Sequence, residues 1–175
     1  KMKNNEKIIL IAGVLIILIL GIMTYYSLSG SNSEEKNISK GINPPKGNSS
    51  SENIIIEFGD FKCPACKASH PIIQEILDNY DVVIYYRNFP LPMHGKISFL
   101  ASEAAECANE QGFFWEYHDI LYDNQEFWTT MEDLKEYALQ IGLNEVQFNL
   151  CLESGKYKAE VRKDVRDGKN AGVEG

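Results

Sequence analysis

Cys63 and Cys66 are separated by two residues in Glu57-Phe58-Gly59-Asp60-Phe61-Lys62-Cys63-Pro64-Ala65-Cys66. That spacing serves two chemistries, a dithiol that exchanges with other disulfides or half of a zinc site. Exchange needs a thiolate at one sulfur and a second thiol nearby to resolve the mixed disulfide. Pro64 is of a type favoured at the first helical position, so Cys63 falls at a helix N-terminus, where free N–H groups and the macrodipole favour an anion. Cys63 is therefore the expected nucleophile, and Cys66, one turn inside the helix, the expected resolving thiol; the bland alternative is a disulfide that only staples the turn. Zinc could start from Cys63, Cys66 and His70, but no fourth ligand is evident, and neither a metal nor another cofactor is expected. Glu57, on a strand of Ile and Phe, either moves protons for the dithiol or faces solvent at a strand edge. Asp60 reads as a turn residue, Lys62 and Lys67 as flanking cations, and His94 and His118 as packing or hydrogen-bonding residues of later helices. Four cysteines allow three pairings. A local Cys63/Cys66 pair leaves Cys107 and Cys151, on different apolar stripes, as a structural disulfide or as two buried thiols.

The elements that must position these groups follow from periodicity. Ile54 to Phe58 is a short β-branched run that reads as a buried strand. From Pro64 to Tyr80 the residues Ile72, Ile73, Ile76, Leu77 and Tyr80 recur at helical spacing, with a kink expected at Pro71. Val82 to Tyr86 is apolar without alternation, as in a central strand covered on both faces. Strand, helix and strand make a right-handed parallel crossover, with the cysteines at the carboxyl end of its first strand. From Gly95 onward the pattern is helical, with stripes at Ile97/Leu100/Ala101/Ala104/Ala108, Phe113/Phe114/Tyr117/Ile120/Leu121 and Leu134/Tyr137/Ala138/Ile141, then helices carrying Val146, Phe148, Leu150 and Leu152, and Tyr157, Val161 and Val165. A weak pairing strand is expected around Ile38 to Ile42.

Ile8 to Met23 is an unbroken apolar run, extendable through Leu28 to the roughly 20 residues a bilayer needs. Lysines precede it, so the positive-inside rule places the N-terminus in the cytoplasm and the rest outside. The expectation is a single-pass anchor in the cell membrane; the alternative is a cleaved signal and a secreted protein. Ser29 to Asn53 is rich in Ser, Asn, Lys and Gly and reads as a solvated tether. Outside the cytosol thiols can stay oxidised, which favours the redox reading. Residues 1–28 sum to +2, so the remainder carries −10 of the total −8. Such a surface repels phosphate backbones and argues against a nucleic-acid partner.

The C-P-A-C junction, Arg87-Asn88-Phe89-Pro90-Leu91 with His94, Ala104-Ala105-Glu106-Cys107-Ala108 and Phe114-Trp115-Glu116-Tyr117-His118 together resemble the DsbA-like thiol-disulfide oxidoreductases of the thioredoxin superfamily. The resemblance covers about residues 45–175. It implies an α/β, thioredoxin-like fold with an inserted helical domain, here preceded by an N-terminal transmembrane helix. It also implies an acidic residue at the place of Glu57, reduced secreted or surface proteins as substrates, and reoxidation by a membrane thiol oxidase of the DsbB or vitamin K epoxide reductase kind. Family members with histidine at the position of Ala65 are strong oxidants by this resemblance; Pro64-Ala65 offers no charged or imidazole donor, so a milder oxidant is expected. In the family a run like Gly172-Val173-Glu174-Gly175 leads into Thr or Val and a cis-proline. The sequence stops at Gly175 and none of its six prolines has that place, so the thioredoxin domain is expected to be incomplete. The expected organisation is a cytoplasmic stub and anchor over 1–28, a linker over 29–52, and the domain over 53–175 with its helical insertion at about 95–170. The function expected is a membrane-anchored, extracytoplasmic oxidoreductase that introduces disulfides. The alternatives are an isomerase or reductase of the same fold, or a non-catalytic metal-binding module.

Overall fold

The computed structural model describes residues 15–25 and 38–174. Two compact units divide the chain, Lys1–Asn37 and Ile38–Gly175. In the first, helix α1 covers residues 15–25 and exposes all its side chains. Among the described residues no helix is long and apolar enough to cross a membrane. The rest of the anchor expected over 1–28 lies outside the described residues.

The second unit is built on a three-stranded sheet, in the order β1 (Lys46–Gly47), β3 (Val83–Asn88), β2 (Ile54–Gly59). β2 runs parallel to β3 with Glu57 opposite Tyr86, and β1 runs antiparallel to β3. The parallel pair is joined by helix α2 (Pro64–Asn79), which gives the expected crossover. β3 is central, and Val83, Ile84 and Tyr86 are buried. That burial explains its continuous apolar run. Helix α2 lies over the sheet through half-buried Ile73, Ile76 and Leu77, leaves Ile72 exposed, and continues through Pro71.

A short 3-10 turn, Pro92–His94, leads into five helices: α3 (Gly95–Asn109), α4 (Phe114–Asp123), α5 (Met131–Gln140), α6 (Glu145–Ser154) and α7 (Lys158–Ala171). Together they are the helical insertion. α3 buries Ala101, Ala104, Ala105 and Ala108, small residues that let Phe114, Tyr117, Leu134 and Phe148 of its neighbours close on it. Caps set the starts of α5 and α6. Thr130 and Asp133 form a reciprocal capping box, and Asn144 accepts from the Gln147 N–H. On α6, Val146 and Leu150 are exposed, and Phe148, Cys151 and Leu152 carry the burial. Cys107 and Cys151 are joined in a disulfide between α3 and α6 across 44 residues. Closing a loop of that length contributes about 4 kcal/mol through the unfolded state.

Two expectations are corrected here. The pairing strand lies at Lys46–Gly47 and not at Ile38 to Ile42. Gly41 adopts φ 80°, which breaks an extended run, and a side chain there would collide with Arg87. The tether also ends earlier than 52, because residues 38–52 belong to the second unit. Their polar groups meet β3 and α4: Asn43 Nδ2 donates to Tyr86 O at 3.1 Å, Asn48 N to Val82 O at 2.9 Å, and Trp115 Nε1 to Pro44 O at 3.0 Å. A polar composition marks solvation only when no partner waits for those groups.

Candidate dithiol active site

Cys63 is the N-cap of α2, with extended backbone at φ −78° and ψ 120° and no side-chain capping bond. Its carbonyl accepts the first helical bond from Lys67 N at 3.1 Å. The sulfur thus sits at the positive end of the helix, where an anion is favoured. Cys63 and Cys66 are both free thiols and both half-buried. The Cys66 thiol is pushed up to about 11, first by burial and further by Cys63, while a hydrogen bond from the Asp60 backbone amide works the other way.

Asp60 fixes the loop before the cysteines. Only 2% exposed, its carboxylate accepts from Lys62 N at 2.8 Å, Leu91 N at 2.8 Å, His94 Nδ1 at 2.6 Å and the Ser98 hydroxyl. Its own carbonyl accepts from Cys63 N at 3.0 Å. Far more than a turn residue, it ties the end of β2 to the 3-10 turn and to α3. From the other side Gln125 Nε2 donates to Phe61 O and Cys63 O, each at 2.9 Å. Lys62 is held by Gln125 O at 2.6 Å and lies over the Trp128 ring at 3.9 Å, while Lys67 pairs with Glu126 at 2.9 Å. Both flanking lysines are therefore partnered. Gln125 and Ser98 were not legible beforehand, since side-chain bonds to groups distant in the chain leave no periodic trace.

Glu57 is half-buried on β2 and is pushed up to about 7, by burial, with Lys46 opposing. Opposite it Tyr86 is fully buried, and its hydroxyl lies 3.0 Å from that of Tyr122. Gly59, two residues along the same face, is required: a Cβ there would come within 2.5 Å of the Tyr86 hydroxyl. Both phenols lie in the electrostatic reach of Glu57 and of Cys66. The arrangement places one sulfur at the helix start, a half-buried second sulfur whose thiol is pushed up, and on β2 a carboxyl whose pKa is suited to proton transfer near neutral pH.

The zinc reading of Cys63, Cys66 and His70 is not assembled. His70 Nε2 turns to Asp119 at 3.1 Å, and its ring stacks on Tyr122. Among the described residues the set whose ligand atoms converge is His70, His118 and Asp119. His118 packs among Phe61, Tyr86 and Trp115, and His94 bonds Asp60.

A crossover unit with paired cysteines at its first helix, interrupted by a helical block, defines the thioredoxin class. Residues 41–175 match the thioredoxin family profile; the chain belongs to that family and within its superfamily is DsbA-like. Over 136 residues it is 35% identical to the "Probable disulfide bond formation protein D" of Bacillus anthracis, covering 69% of this chain and 61% of that protein. A 112-residue stretch is 36% identical to the "Na(+)/H(+) antiporter NhaA 3" of Salinispora tropica, covering 63% of this chain and 17% of that protein. The chain therefore spans less than two thirds of either relative's length. Among solved structures it is similar to oxidised BdbD from Bacillus subtilis, with TM-score 0.66 and 26% identity, over 76% of this chain and 77% of that one. The fold is also that of α-DsbA2 from Wolbachia pipientis, with TM-score 0.68 and 20% identity over 83% and 85% of the two chains.

Proposed function

We propose that the chain is a thiol-disulfide oxidoreductase that passes a Cys63–Cys66 disulfide to reduced proteins outside the cytosol, held at the membrane by its N-terminal apolar segment. The observation that carries this reading is the asymmetry of the two sulfurs: Cys63 at an uncapped helix N-terminus, Cys66 a turn inside with its thiol pushed up to about 11. In the oxidised protein a substrate thiolate attacks Cys63 Sγ, the Cys63–Cys66 bond breaks, and Cys66 leaves as a thiolate. So basic a leaving group needs a proton, and Glu57 is the carboxyl able to supply it. A second substrate thiolate then attacks the substrate sulfur of the mixed disulfide, and Cys63 leaves as a thiolate at the helix start. Substrate has become disulfide and enzyme dithiol. Reoxidation falls to a membrane thiol oxidase of the DsbB or vitamin K epoxide reductase kind. Exposed Met93 and Phe127 flank the segments that grip Asp60 and Cys63, and they suit an unfolded client.

Oxidative refolding of a reduced, disulfide-dependent substrate tests the activity: the oxidised protein is expected to form disulfides stoichiometrically, and no transfer would overturn the reading. Because Pro64-Ala65 offers no added donor to the thiolate, the potential is expected below the strongly oxidising extreme of about −120 mV. Retention in carbonate-washed membranes, with the domain open to protease in intact cells, tests the anchor; a soluble, protected domain would remove it.

Glu57 also gives a pH dependence. The group ionises near 4.5 in the unfolded chain and about 7 in the fold. Its contribution is fully present below 4.5 and is lost as pH rises through 7, by about 3 kcal/mol. Glu106, fully buried and also pushed up to about 7 by burial, acts in the same window. Glu57→Gln is expected to raise stability at pH 8 by up to about 3 kcal/mol and to leave roughly half of the loss between pH 5 and pH 8. Urea denaturation at the two pH values measures it, and an unchanged difference would refute the assignment.

A further inference from the structure

The cluster beneath α2 has a feature the dithiol does not use. Asp119 Oδ1 lies 3.1 Å from His70 Nε2 and 2.8 Å from His118 Nδ1, and its other oxygen lies 3.3 Å from Lys46 Nζ. His118 is 3% exposed, and its Nε2 has no hydrogen-bond partner. The ring is walled by Phe61, Tyr86, Phe114, Trp115 and Tyr122. None of these donates to it: the Tyr86 and Tyr122 hydroxyls meet each other, the Trp115 indole donates to Pro44 O, and no other polar atom comes within bonding distance of Nε2. An N–H pointing into such a box meets π electrons; a lone pair meets nothing.

The tautomer that suits the box therefore carries its proton on Nε2. Its Nδ1 lone pair then faces the Asp119 carboxylate, two acceptors in contact. A proton on Nδ1 relieves that contact but strands the Nε2 lone pair among the aromatic walls, whereas an ion shared by Nδ1 and Oδ1 satisfies both atoms and keeps the proton on Nε2.

We propose that His70 Nε2, His118 Nδ1 and Asp119 Oδ1 bind a divalent first-row transition metal of the zinc type, pinning α2 of the thioredoxin half to α4 of the insertion. Two imidazoles and a carboxylate are the donor set such an ion prefers, with bonds of about 2.0–2.2 Å and an open fourth position for water. The ligand atoms all lie within 4.8 Å of one another, so they converge on the ion with small side-chain adjustments. Lys46 holds the second carboxylate oxygen and leaves Oδ1 for the ion, while its charge weakens the site. The metal is distinct from one held by the cysteines, and its test needs no exchange activity.

The experiment is titration of the full chain with zinc alone, and with cobalt as a spectroscopic probe, while Cys63 and Cys66 are held as their disulfide. The expected result is one ion per chain, a cobalt d–d band without thiolate charge transfer, and a Tm raised by about 8 °C at zinc 100-fold above Kd. His70→Ala, at a position 20% exposed and so safe for folding, is expected to weaken binding at least about tenfold. Lys46→Met is expected to tighten it several-fold by removing a competing charge. No binding to the oxidised protein, equal binding by His70→Ala, or a thiolate band would each overturn the proposal.

Discussion

Cys63→Ser is expected to abolish disulfide transfer, lowering the rate on the order of 10³-fold or more, while Cys66→Ser stops turnover but accumulates a mixed disulfide. The two outcomes differ because the sulfurs differ in place. Cys63 heads α2 with no side-chain bond to its own helix, which leaves its sulfur free for the exchange proposed above. A serine at that position keeps the geometry and loses the nucleophile, since a hydroxyl stays protonated where a thiol ionises. In the reducing direction Cys63 attacks a client disulfide first and Cys66 acts only after the mixed disulfide forms, so its loss leaves that first bond intact and unresolved. Insulin reduction gives the rates, and non-reducing gels with a disulfide-bearing client show the trapped species. A Cys63→Ser protein with half the parent rate, or a trapped adduct on Cys66 in place of Cys63, would sink the assignment of roles.

That asymmetry was legible in the sequence because it is local: Pro64 fixes the helix start, the β-branched run fixes β2, and the spacing of two residues fixes the rest. The crossover and the helical insertion were legible for a similar reason, since periodicity records which face of an element is buried. What periodicity does not record is a side chain bonded to backbone far away. Asp60 gathers Leu91, His94 and Ser98 across a gap of more than 30 residues, and Gln125 reaches Cys63 from 62 away. Neither bond changes a hydropathy pattern. Residues 38–52 escape a reading by composition on the same ground: Asn43, Asn48 and Ser51 look solvated until Tyr86 of β3 and the residues Asp81 and Val82 before it supply their partners. His70, at helical spacing on α2, gave no hint that Asp119 of α4 waits for it.

Asp164→Ala is expected to cost about 3–5 kcal/mol, the range for breaking a buried ion pair by removing one partner. Arg87 is fully buried, and Asp164 is 1% exposed. Arg87 Nε donates to Asp164 Oδ1 at 2.8 Å, and Asn88 N donates to Oδ2 at 2.9 Å. Truncation therefore leaves the Arg87 Nε–H and the Asn88 amide without an acceptor at buried positions, while the guanidinium keeps only Asp167 and the Ser39 carbonyl. Asp167, on the outer side of Arg87 at 2.6 Å, is 29% exposed and solvated, so Asp167→Ala is expected to cost no more than about 1 kcal/mol. The contrast separates charge from burial: the same cation loses one carboxylate in each variant, and only the inner loss leaves donors unpaired. Urea denaturation of both variants measures it, and an Asp164→Ala loss below 1 kcal/mol would show that Arg87 is not dependent on this pair. The effect also reaches the dithiol. Asn88 ends β3, and Phe89 and Pro90 carry the chain from there to Leu91, whose N–H holds Asp60. A loosened β3 end slackens the bond that sets the loop before Cys63, so Asp164→Ala is expected to slow exchange even where the protein remains folded, and Asp167→Ala is not.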